Sequence, residues 1–419
     1  MKQASNVDDW QYVRELQLEI HQQTLHNNAA PKGMFKLIDW RPLISHALVE
    51  VARKKSCAGV DGQKPETFRQ FQRRSKLASD LSAEIMSGRY RPDKLLVVKI
   101  PKSSGGFREI GIPTVRDRAV QKACSFILMP IFETFFYEDS YAYRPQRGVG
   151  DAIRQLTTDI SEGKTTAIKA DIVSCFANLD RQLILAKLRA LKIDEKLIDL
   201  IRLIIYQEKA HEQYGADDRF GICQGGNASP LLANLALHDL DVWFSRCCET
   251  QWEASMSRYC DDICVVSAKE DGEKMVAAIE EELNKQNLSI FSAKKAPQII
   301  NLRLGTPLQF LGHEIRLDRI KPCSLSITPK TQNIQRLLKR ISVIAGQCEE
   351  RNLKPRDALA EVNKNLDNFN NFYHNCNRMA VFDHINRRVV EIIARNESMS
   401  GLEKKVIGLS LLFSSVLFK

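Results

Sequence analysis

Two hydrophobic periods divide the chain. Apolar residues recur every three or four positions in long stretches, and every second position in short runs between them. The first pattern is typical of helices that bury one face, and the second of β-strands. From Lys330 onward only the helical period remains. Both element types are therefore expected, with strands at residues 95–100, 166–171, 263–266 and 298–301 and a strand-turn-strand at 309–315.

Length and charge narrow the classes of protein. The chain has 419 residues, with 61 Lys and Arg against 51 Asp and Glu, for a net charge of +10. The length predicts about two or three domains, and the positive charge favours a polyanionic partner, although a merely basic cytosolic protein fits equally well. No apolar run is long enough for a membrane helix, and the N-terminus lacks the apolar core of a signal peptide. We expect a cytoplasmic protein with no membrane partner.

The cysteines indicate no metal site and no disulfide framework. The sequence has 11 of them, without a Cys-x-x-Cys pair or a matching Cys/His spacing. Cysteine is also a common small buried residue in reducing compartments. We therefore interpret these thiols as structural.

A pair of acids is the first candidate for chemistry. Asp261 and Asp262 stand between two short apolar runs, and this pattern places them at the tight turn of a hairpin. Paired carboxylates can hold a divalent cation if a third oxygen ligand joins them. By itself, a solvated Asp-Asp turn is the commoner explanation. Asp171, at the end of the strand predicted for residues 166–171, is the candidate third ligand.

Two glycine-rich turns could bind phosphate. Lys102 and Arg108 flank a Gly-Gly hairpin tip, from which both could reach a triphosphate, although a solvated tip explains them as well. Gln224, Gly225 and Gly226 precede a long helix. Glycine allows a ligand to approach the backbone closely, and a helix N-terminus favours an anion. Each turn alone is a weak signal.

The order of these motifs is specific. It resembles the fingers, palm and thumb of reverse transcriptases, in particular the bacterial group II intron-like kind. The resemblance is strong over roughly residues 55–320 and looser over 325–395. It is carried by Tyr90-Arg91-Pro92, Ile110 to Thr114, Asp117-Arg118, Gln121, Pro130 to Glu133, Tyr143-Arg144-Pro145, Gln224-Gly225-Gly226, Ser229 to Asn234 and Tyr259-Cys260-Asp261-Asp262.

The resemblance implies a fold and a division of the chain. The fold would be α+β, a right-hand polymerase whose fingers and palm combine antiparallel sheet with helices, followed by an α-helical thumb. Four segments are expected: an N-terminal helical extension (1–60), fingers (61–165), a palm with the catalytic site (166–320), and a helical thumb with C-terminal helices (321–419).

The resemblance also implies a metal centre. Asp171 and Asp261 would coordinate two Mg²⁺ ions, with Mn²⁺ as an alternative, helped by the backbone carbonyl of Ile172. Asp262 would support the site as the second acid of the pair. Two ions at such a centre stabilise the attacking 3′-oxygen and the leaving pyrophosphate.

Nucleotide-binding residues follow from the same motifs. Lys102 and Arg108 would hold the triphosphate, and Gln224 and Gly225 would line the pocket. Phe176 would block a ribose 2′-OH and so select deoxynucleotides. The region around Lys294 and Lys295 would supply a proton donor to pyrophosphate, with the choice between the two lysines open. Phe310-Leu311-Gly312 resembles the primer grip.

Departures from the intron enzymes indicate a subclass. Cys260 stands where those enzymes usually have alanine, and Cys223 where they have proline; neither change removes a ligand. No segment resembles an endonuclease, protease, integrase or RNase H. The chain is most similar to domesticated, defence-associated reverse transcriptases, whose second type is a candidate. Such an enzyme would copy a structured non-coding RNA template with dNTPs into DNA, against phage; the sequence leaves its oligomeric state open. The alternative is a mobile group II intron reverse transcriptase or maturase that binds and folds intron RNA.

Overall fold

The computed structural model describes residues 8–54, 56–101, 106–210, 219–292, 296–318, 324–350, 352–396, 398–399, 401–402 and 405–406. The strands are β1 (Leu96–Pro101), β2 (Phe107–Ile112), β3 (Thr166–Asp171), β4 (Ala254–Tyr259), β5 (Asp262–Ser267), β6 (Gln298–Asn301), β7 (Leu308–Phe310), β8 (His313–Leu317) and β9 (Leu325–Pro329). The helices are α1 (Asp9–Asn27), α2 (Met34–Leu37), α3 (Trp40–Arg53), α4 (Phe71–Met86), α5 (Val115–Phe132), α6 (Val149–Ser161), α7 (Cys175–Asn178), α8 (Arg181–Ala190), α9 (Glu195–Ile205), α10 (Ser229–Trp243), α11 (Glu249–Trp252), α12 (Gly272–Asn284), α13 (Thr331–Glu349), α14 (Pro355–Phe372) and α15 (Met379–Ala394).

The chain forms two compact units, each assembled from three separate segments. The first unit collects Met1–Pro145, Ile172–Trp243 and Ile279–Lys294. The second collects Gln146–Asp171, Phe244–Ala278 and Lys295–Lys419. The predicted division into four consecutive segments stays a prediction.

Helix α5 lies at the centre of the first unit. Most of its side chains are buried, and it packs against α1 and α3. The Thr114 hydroxyl caps its N-terminus by accepting from the backbone N–H of Asp117, which satisfies one of the helix's unpaired donors. The same unit contains the antiparallel hairpin β1–β2, whose register pairs Ile100 with Arg108. Arg108 is therefore exposed near the tip of a two-stranded ribbon.

The second unit is built on an antiparallel sheet with strand order β4-β5-β3-β6. Helix α6 packs on β4, where Asp159 pairs with Lys164 at 2.7 Å and accepts from the Ser255 hydroxyl at 2.9 Å. A second sheet has the order β7-β8-β9, and α13 packs against α14 and α15. Apolar residues of α6, of both sheets and of these three helices share one hydrophobic core. Ala167 of β3 and Cys264 and Val266 of β5 belong to this core, which therefore anchors the two strands that carry Asp171 and Asp262.

The turn between β7 and β8 is tied to the helices. Leu311 and Gly312 both have positive φ, at 42° and 83°, a conformation that a two-residue hairpin turn requires. The carbonyl oxygen of Gly312 accepts from the backbone N–H of Lys330 at 2.9 Å and from the Tyr373 hydroxyl at 3.3 Å. The turn therefore sets the position at which α13 begins.

Most predicted elements are confirmed. Strands β3 and β6 have the predicted bounds, and the chain from residue 331 to 394 is helical in three pieces. Strand β9 was not predicted, because only the boundary between the palm and the helical thumb was expected in this region. It pairs with β8 along its whole length. Among the described residues, no helix is long and apolar enough to cross a bilayer.

Candidate active site

The predicted carboxylates meet at one end of the four-stranded sheet. The register pairs Asp171, the last residue of β3, with Asp262, the first residue of β5. Asp262 in turn pairs with Tyr259 of β4, so Cys260 and Asp261 form the two-residue turn. Directly opposed residues of antiparallel strands project their side chains on the same face, with Cβ atoms about 5 Å apart. All three Asp side chains are partly exposed.

Buried groups support the turn from behind. Cys260 has a φ of 60°, in the left-handed region, and is only 4% exposed. Burial, followed by the charge of Asp261, raises the pKa of its thiol to about 12, so the side chain is neutral. The fully buried guanidinium of Arg258 donates to the Cys260 carbonyl oxygen at 3.2 Å. The strained turn is thus held by packing and by a buried cation. It presents Asp261 at its tip, whereas Asp262, predicted to lie in the turn as well, is the first residue of β5.

The chemistry of this donor set fits a divalent cation of the Mg²⁺ type. Carboxylate oxygens are hard ligands, and partly exposed ones leave coordination positions for water and substrate phosphates. Within the described part of the chain, however, no three His, Cys, Asp or Glu side chains lie close enough together to hold an ion as they stand. The assignment of Asp171, Ile172, Asp261 and Asp262 as metal ligands therefore stays a prediction.

Three of the predicted nucleotide-binding residues belong to one backbone-linked group in the first unit. The backbone N–H of Ile222 donates to the carbonyl oxygen of Phe176 at 2.8 Å. Two residues on, the carbonyl oxygen of Gln224 accepts from the backbone N–H of Gly111 at 2.9 Å. Gly111 and Arg108 lie on the same strand, β2. The structure therefore joins Phe176, the Gln224 turn and the strand of Arg108.

The contact between this turn and β2 requires glycine on both sides. Gly225 has a φ of 122°, and a Cβ built there would lie 2.6 Å from the Gly111 carbonyl oxygen. A Cβ on Gly111 would lie 2.6 Å from the Sγ of Cys223. The Cys223 thiol donates to the same carbonyl at 3.2 Å, and burial raises its pKa to about 11. This hydrogen bond holds the turn against β2. Cys223 is one of the two residues at which the sequence departs from the intron enzymes.

Three predicted residues lie outside the described residues. They are Lys102, Lys294 and Lys295. Their expected roles at the triphosphate and as proton donor stay predictions.

A buried polar network beside β1 was quoted from the sequence but given no role. The Asp117 carboxylate, fully buried, accepts from the Tyr90 hydroxyl at 2.7 Å and the Thr114 hydroxyl at 2.8 Å. It also accepts from the Asp93 backbone N–H at 2.9 Å and from Gln207 Nε2 at 3.2 Å. Burial raises the pKa of Asp117 to about 6, against hydrogen bonds that lower it. Its members lie at residues 90–93, 114–117 and 207, so no local sequence pattern could have indicated the network.

We predict a pH dependence from Asp117. Because its pKa is about 6 in the folded chain and near 4 when unfolded, stability is greatest with the group protonated and falls as the pH rises through 6. The Asp117→Asn variant lacks this titration. Between pH 5 and 7.5 the parent should therefore lose about 1.4 kcal/mol of unfolding free energy relative to the variant. Urea unfolding at several pH values measures the difference, and a difference that is constant with pH would contradict the prediction.

Comparison with known proteins identifies the family to which the chain belongs. Residues 100–315 match the family model for reverse transcriptase (RNA-dependent DNA polymerase). The chain belongs to this family, and the predicted α+β polymerase fold is confirmed.

Curated relatives support the group II intron-like resemblance. Protein YkfC of Escherichia coli (strain K12) is 34% identical over 196 residues, which are 44% of this chain and 49% of that protein. Group II intron-encoded protein LtrA of Lactococcus lactis subsp. cremoris is 33% identical over 163 residues, 38% of this chain and 26% of LtrA. The Retron Ec83 reverse transcriptase of Escherichia coli is 25% identical over 177 residues, 42% of this chain and 53% of that enzyme. The chain thus spans about half or less of the length of these relatives.

Proposed function

We propose that the protein is an RNA-directed DNA polymerase of the cytoplasm that copies a structured non-coding RNA into cDNA and thereby protects a bacterial cell against phage. The observation that carries the polymerase is the register that sets Asp171 opposite Asp262, at the turn that carries Asp261. The role in defence rests on the sequence resemblance, and similarity to a retron enzyme is compatible with it.

The catalytic group would be Asp171, Asp261 and Asp262, with the carbonyl of Ile172. These oxygens would hold two divalent cations, Mg²⁺ or alternatively Mn²⁺. Bound ions of this kind neutralise charge on the attacking 3′-oxygen and the leaving pyrophosphate. Asp261 and Asp262 would orient the ions from a hairpin whose backbone is held by the buried Arg258, and Asp171 would do so from the end of β3.

Four of the predicted residues would contact the nucleotide. Arg108, exposed near the tip of β2, has the planar fork that binds phosphate oxygens in pairs. Lys102 would add a second cation. Gln224 and Gly225 form a turn held backbone to backbone against that strand. Because Gly225 has no side chain, the turn can pack closely against β2, and this contact fixes the main chain that a nucleotide would meet.

Phe176 would select the sugar. The carbonyl oxygen of Phe176 accepts a hydrogen bond from the backbone N–H of Ile222. The backbone that carries the ring is therefore fixed relative to the Gln224 turn. The Phe176→Val variant should incorporate ribonucleotides at least tenfold more readily than the parent, because a smaller side chain leaves room for the 2′-OH. Single-nucleotide incorporation with dNTP and rNTP measures the ratio. A variant that is as selective for deoxynucleotides as the parent would exclude this role.

A second function also has support. The 33% identity with LtrA, a group II intron-encoded protein, is compatible with a mobile-intron reverse transcriptase or maturase that binds and folds intron RNA. Both functions need a basic RNA-binding surface, in keeping with the net charge of +10. They differ in which RNA is bound, and a maturase needs no DNA synthesis to fold that RNA.

Sequencing of the nucleic acid that co-purifies with the protein separates the two. We expect a structured non-coding RNA together with DNA complementary to it. Phage plating on cells with the parent or a carboxylate-free variant tests the role in defence, and we expect protection only from the parent. Recovery of an intron RNA without complementary DNA, or equal plating on both strains, would contradict the proposal.

A further inference from the structure

The chain that follows α12 folds back along that helix. Asn287 has a φ of 58°, and its backbone N–H donates to the carbonyl oxygen of Asn284 at 3.1 Å. The N–H of the next residue, Leu288, donates to the carbonyl oxygen of Leu283 at 3.0 Å. These are the two hydrogen bonds of a Schellman motif, which ends a helix at a residue in the left-handed conformation. The chain beyond Leu288 therefore returns toward α12.

Glu280 of α12 holds this returning segment, residues 288–291. Its Oε1 accepts from the Ser289 hydroxyl at 2.6 Å, and its Oε2 accepts from the backbone N–H of Ile290 at 2.8 Å. A carboxylate is a strong acceptor, and two such bonds to adjacent residues fix the backbone between them. The side chain of Ile290 is only 1% exposed, so apolar packing holds the segment as well.

The returning segment binds the chain just ahead of Phe176. The carbonyl oxygen of Ser289 accepts from the backbone N–H of Val173 at 2.8 Å. The carbonyl oxygen of Val173 accepts from Nδ2 of Asn178, the last residue of α7, at 3.1 Å. Val173 and Asn178 lie on either side of Phe176 in the sequence, and all of these residues belong to the first unit. One hydrogen-bonded stretch therefore carries the ring.

A strained residue makes this stretch dependent on its contacts. Ser174, which follows Val173, has a φ of 49°, in the left-handed region that a residue with a Cβ enters at a cost. Such a conformation persists only when the surrounding contacts enforce it. The Ser174 carbonyl accepts from the N–H groups of Ala177 and Asn178, so the backbone at Ser174 sets the direction of α7. The Phe176 ring is partly exposed, and its position therefore depends on this backbone.

We propose that Glu280 is a positioning residue for the Phe176 ring and thereby takes part in the choice between deoxynucleotides and ribonucleotides. The inference rests on the proposed role of Phe176 at the sugar. The backbone of Phe176 is held on one side by Ile222. On the other side it is held through Val173, by the segment that Glu280 fixes. Loss of the Glu280 hydrogen bonds would release this second side, so the ring could retreat from a 2′-OH.

The test measures sugar selectivity, which is the ratio of kcat/KM for a dNTP to kcat/KM for the matching rNTP in single-nucleotide incorporation. Glu280→Ala removes both acceptor oxygens. Glu280→Gln keeps the shape and one acceptor oxygen but loses the charge. Glu281→Gln is the control, because it changes the next, exposed carboxylate of α12. Thermal unfolding of each variant gives a temperature at which all of them are folded.

We expect Glu280→Ala to lower the selectivity about fivefold, which is part of the roughly hundredfold effect of a displacement of about 1 Å. Glu280→Gln should lower it less, and Glu281→Gln should behave as the parent. In a chain that already carries Phe176→Val, adding Glu280→Ala should change the selectivity no further, because the ring through which Glu280 acts is gone. A carboxylate that only stabilised the fold would lower Tm and leave the ratio unchanged.

Two results would overturn the inference. One is a selectivity equal to that of the parent in folded Glu280→Ala. The other is an effect of Glu280→Ala that has the same size with and without the Phe176 ring. If Phe176→Val by itself leaves the selectivity unchanged, the proposed role of Phe176 at the sugar is refuted, and the inference with it. The single and double variants therefore distinguish a failure of the inference alone from a failure of the role on which it rests.

Discussion

DNA synthesis should fall at least a thousandfold when Asp261 and Asp262 are both changed to Asn. The variant keeps the shape of the turn but loses two negative charges from the end of the sheet at which Asp171 lies. A thousandfold loss corresponds to about 4 kcal/mol of transition-state stabilisation, the size expected when divalent ions can no longer be held. Incorporation of labelled dNTP on a primed RNA measures the effect.

The same variant should bind RNA as the parent does. Affinity for the polyanion comes from lysines and arginines elsewhere on the surface, and partly exposed aspartates contribute little to stability. Asp271→Asn is a suitable control, because it removes one charge beyond the end of β5 and should leave synthesis unchanged. A double Asn variant that retains a tenth or more of the parent activity would refute the assignment of these residues.

The second large effect is expected at Gly225. An alanine there would combine a φ of 122°, which is accessible in practice only to glycine, with a Cβ that lies 2.6 Å from the carbonyl oxygen of Gly111 and 3.0 Å from Cγ2 of Ile110. The backbone of both the turn and β2 would have to move, and the Gln224 side chain with it. We expect kcat/KM for dNTP to fall about a hundredfold or more, since a displacement of about 1 Å has that effect on positioned groups.

The Gly163→Ala variant separates the effect of backbone strain from the effect of a displaced backbone. Gly163 has a φ of 106°, but nothing lies within 4 Å of a Cβ built there. This variant should lose about 1–2 kcal/mol of stability from backbone strain and keep its activity at a temperature at which it is folded. If Gly225→Ala is as active as Gly163→Ala under those conditions, the close backbone contact has no role in the nucleotide pocket.

The hydrophobic pattern predicted β3 with its correct bounds and placed Asp261 in the turn, because an acid next to a short apolar run marks the end of a strand. It could not predict which strand pairs with which. The pairing of Asp171 with Asp262 and the contact of Gln224 with Gly111 are non-local, and they depend on how the whole core packs. The resemblance to reverse transcriptases, rather than the hydrophobic pattern, predicted that these residues belong to one site.

Strand β9 illustrates what remains hidden in a sequence. The residues around it indicated only the start of a helical stretch, so the strand was missed. Its pairing with β8 depends on the register of the β7–β8 hairpin, which leaves no local signal. Likewise, the strain at Cys260 and the burial of Arg258 follow from packing behind the hairpin. The composition showed only that cations are in excess.

The most direct test of the central claim is primer extension by the purified protein on an RNA template of defined sequence. With dNTPs and Mg²⁺, we predict a product that is complementary to the template, sensitive to DNase and absent when Asp261 and Asp262 are changed to Asn. The account would be contradicted if the parent protein makes no such DNA under conditions in which it binds the primed RNA, or if the double Asn variant makes as much.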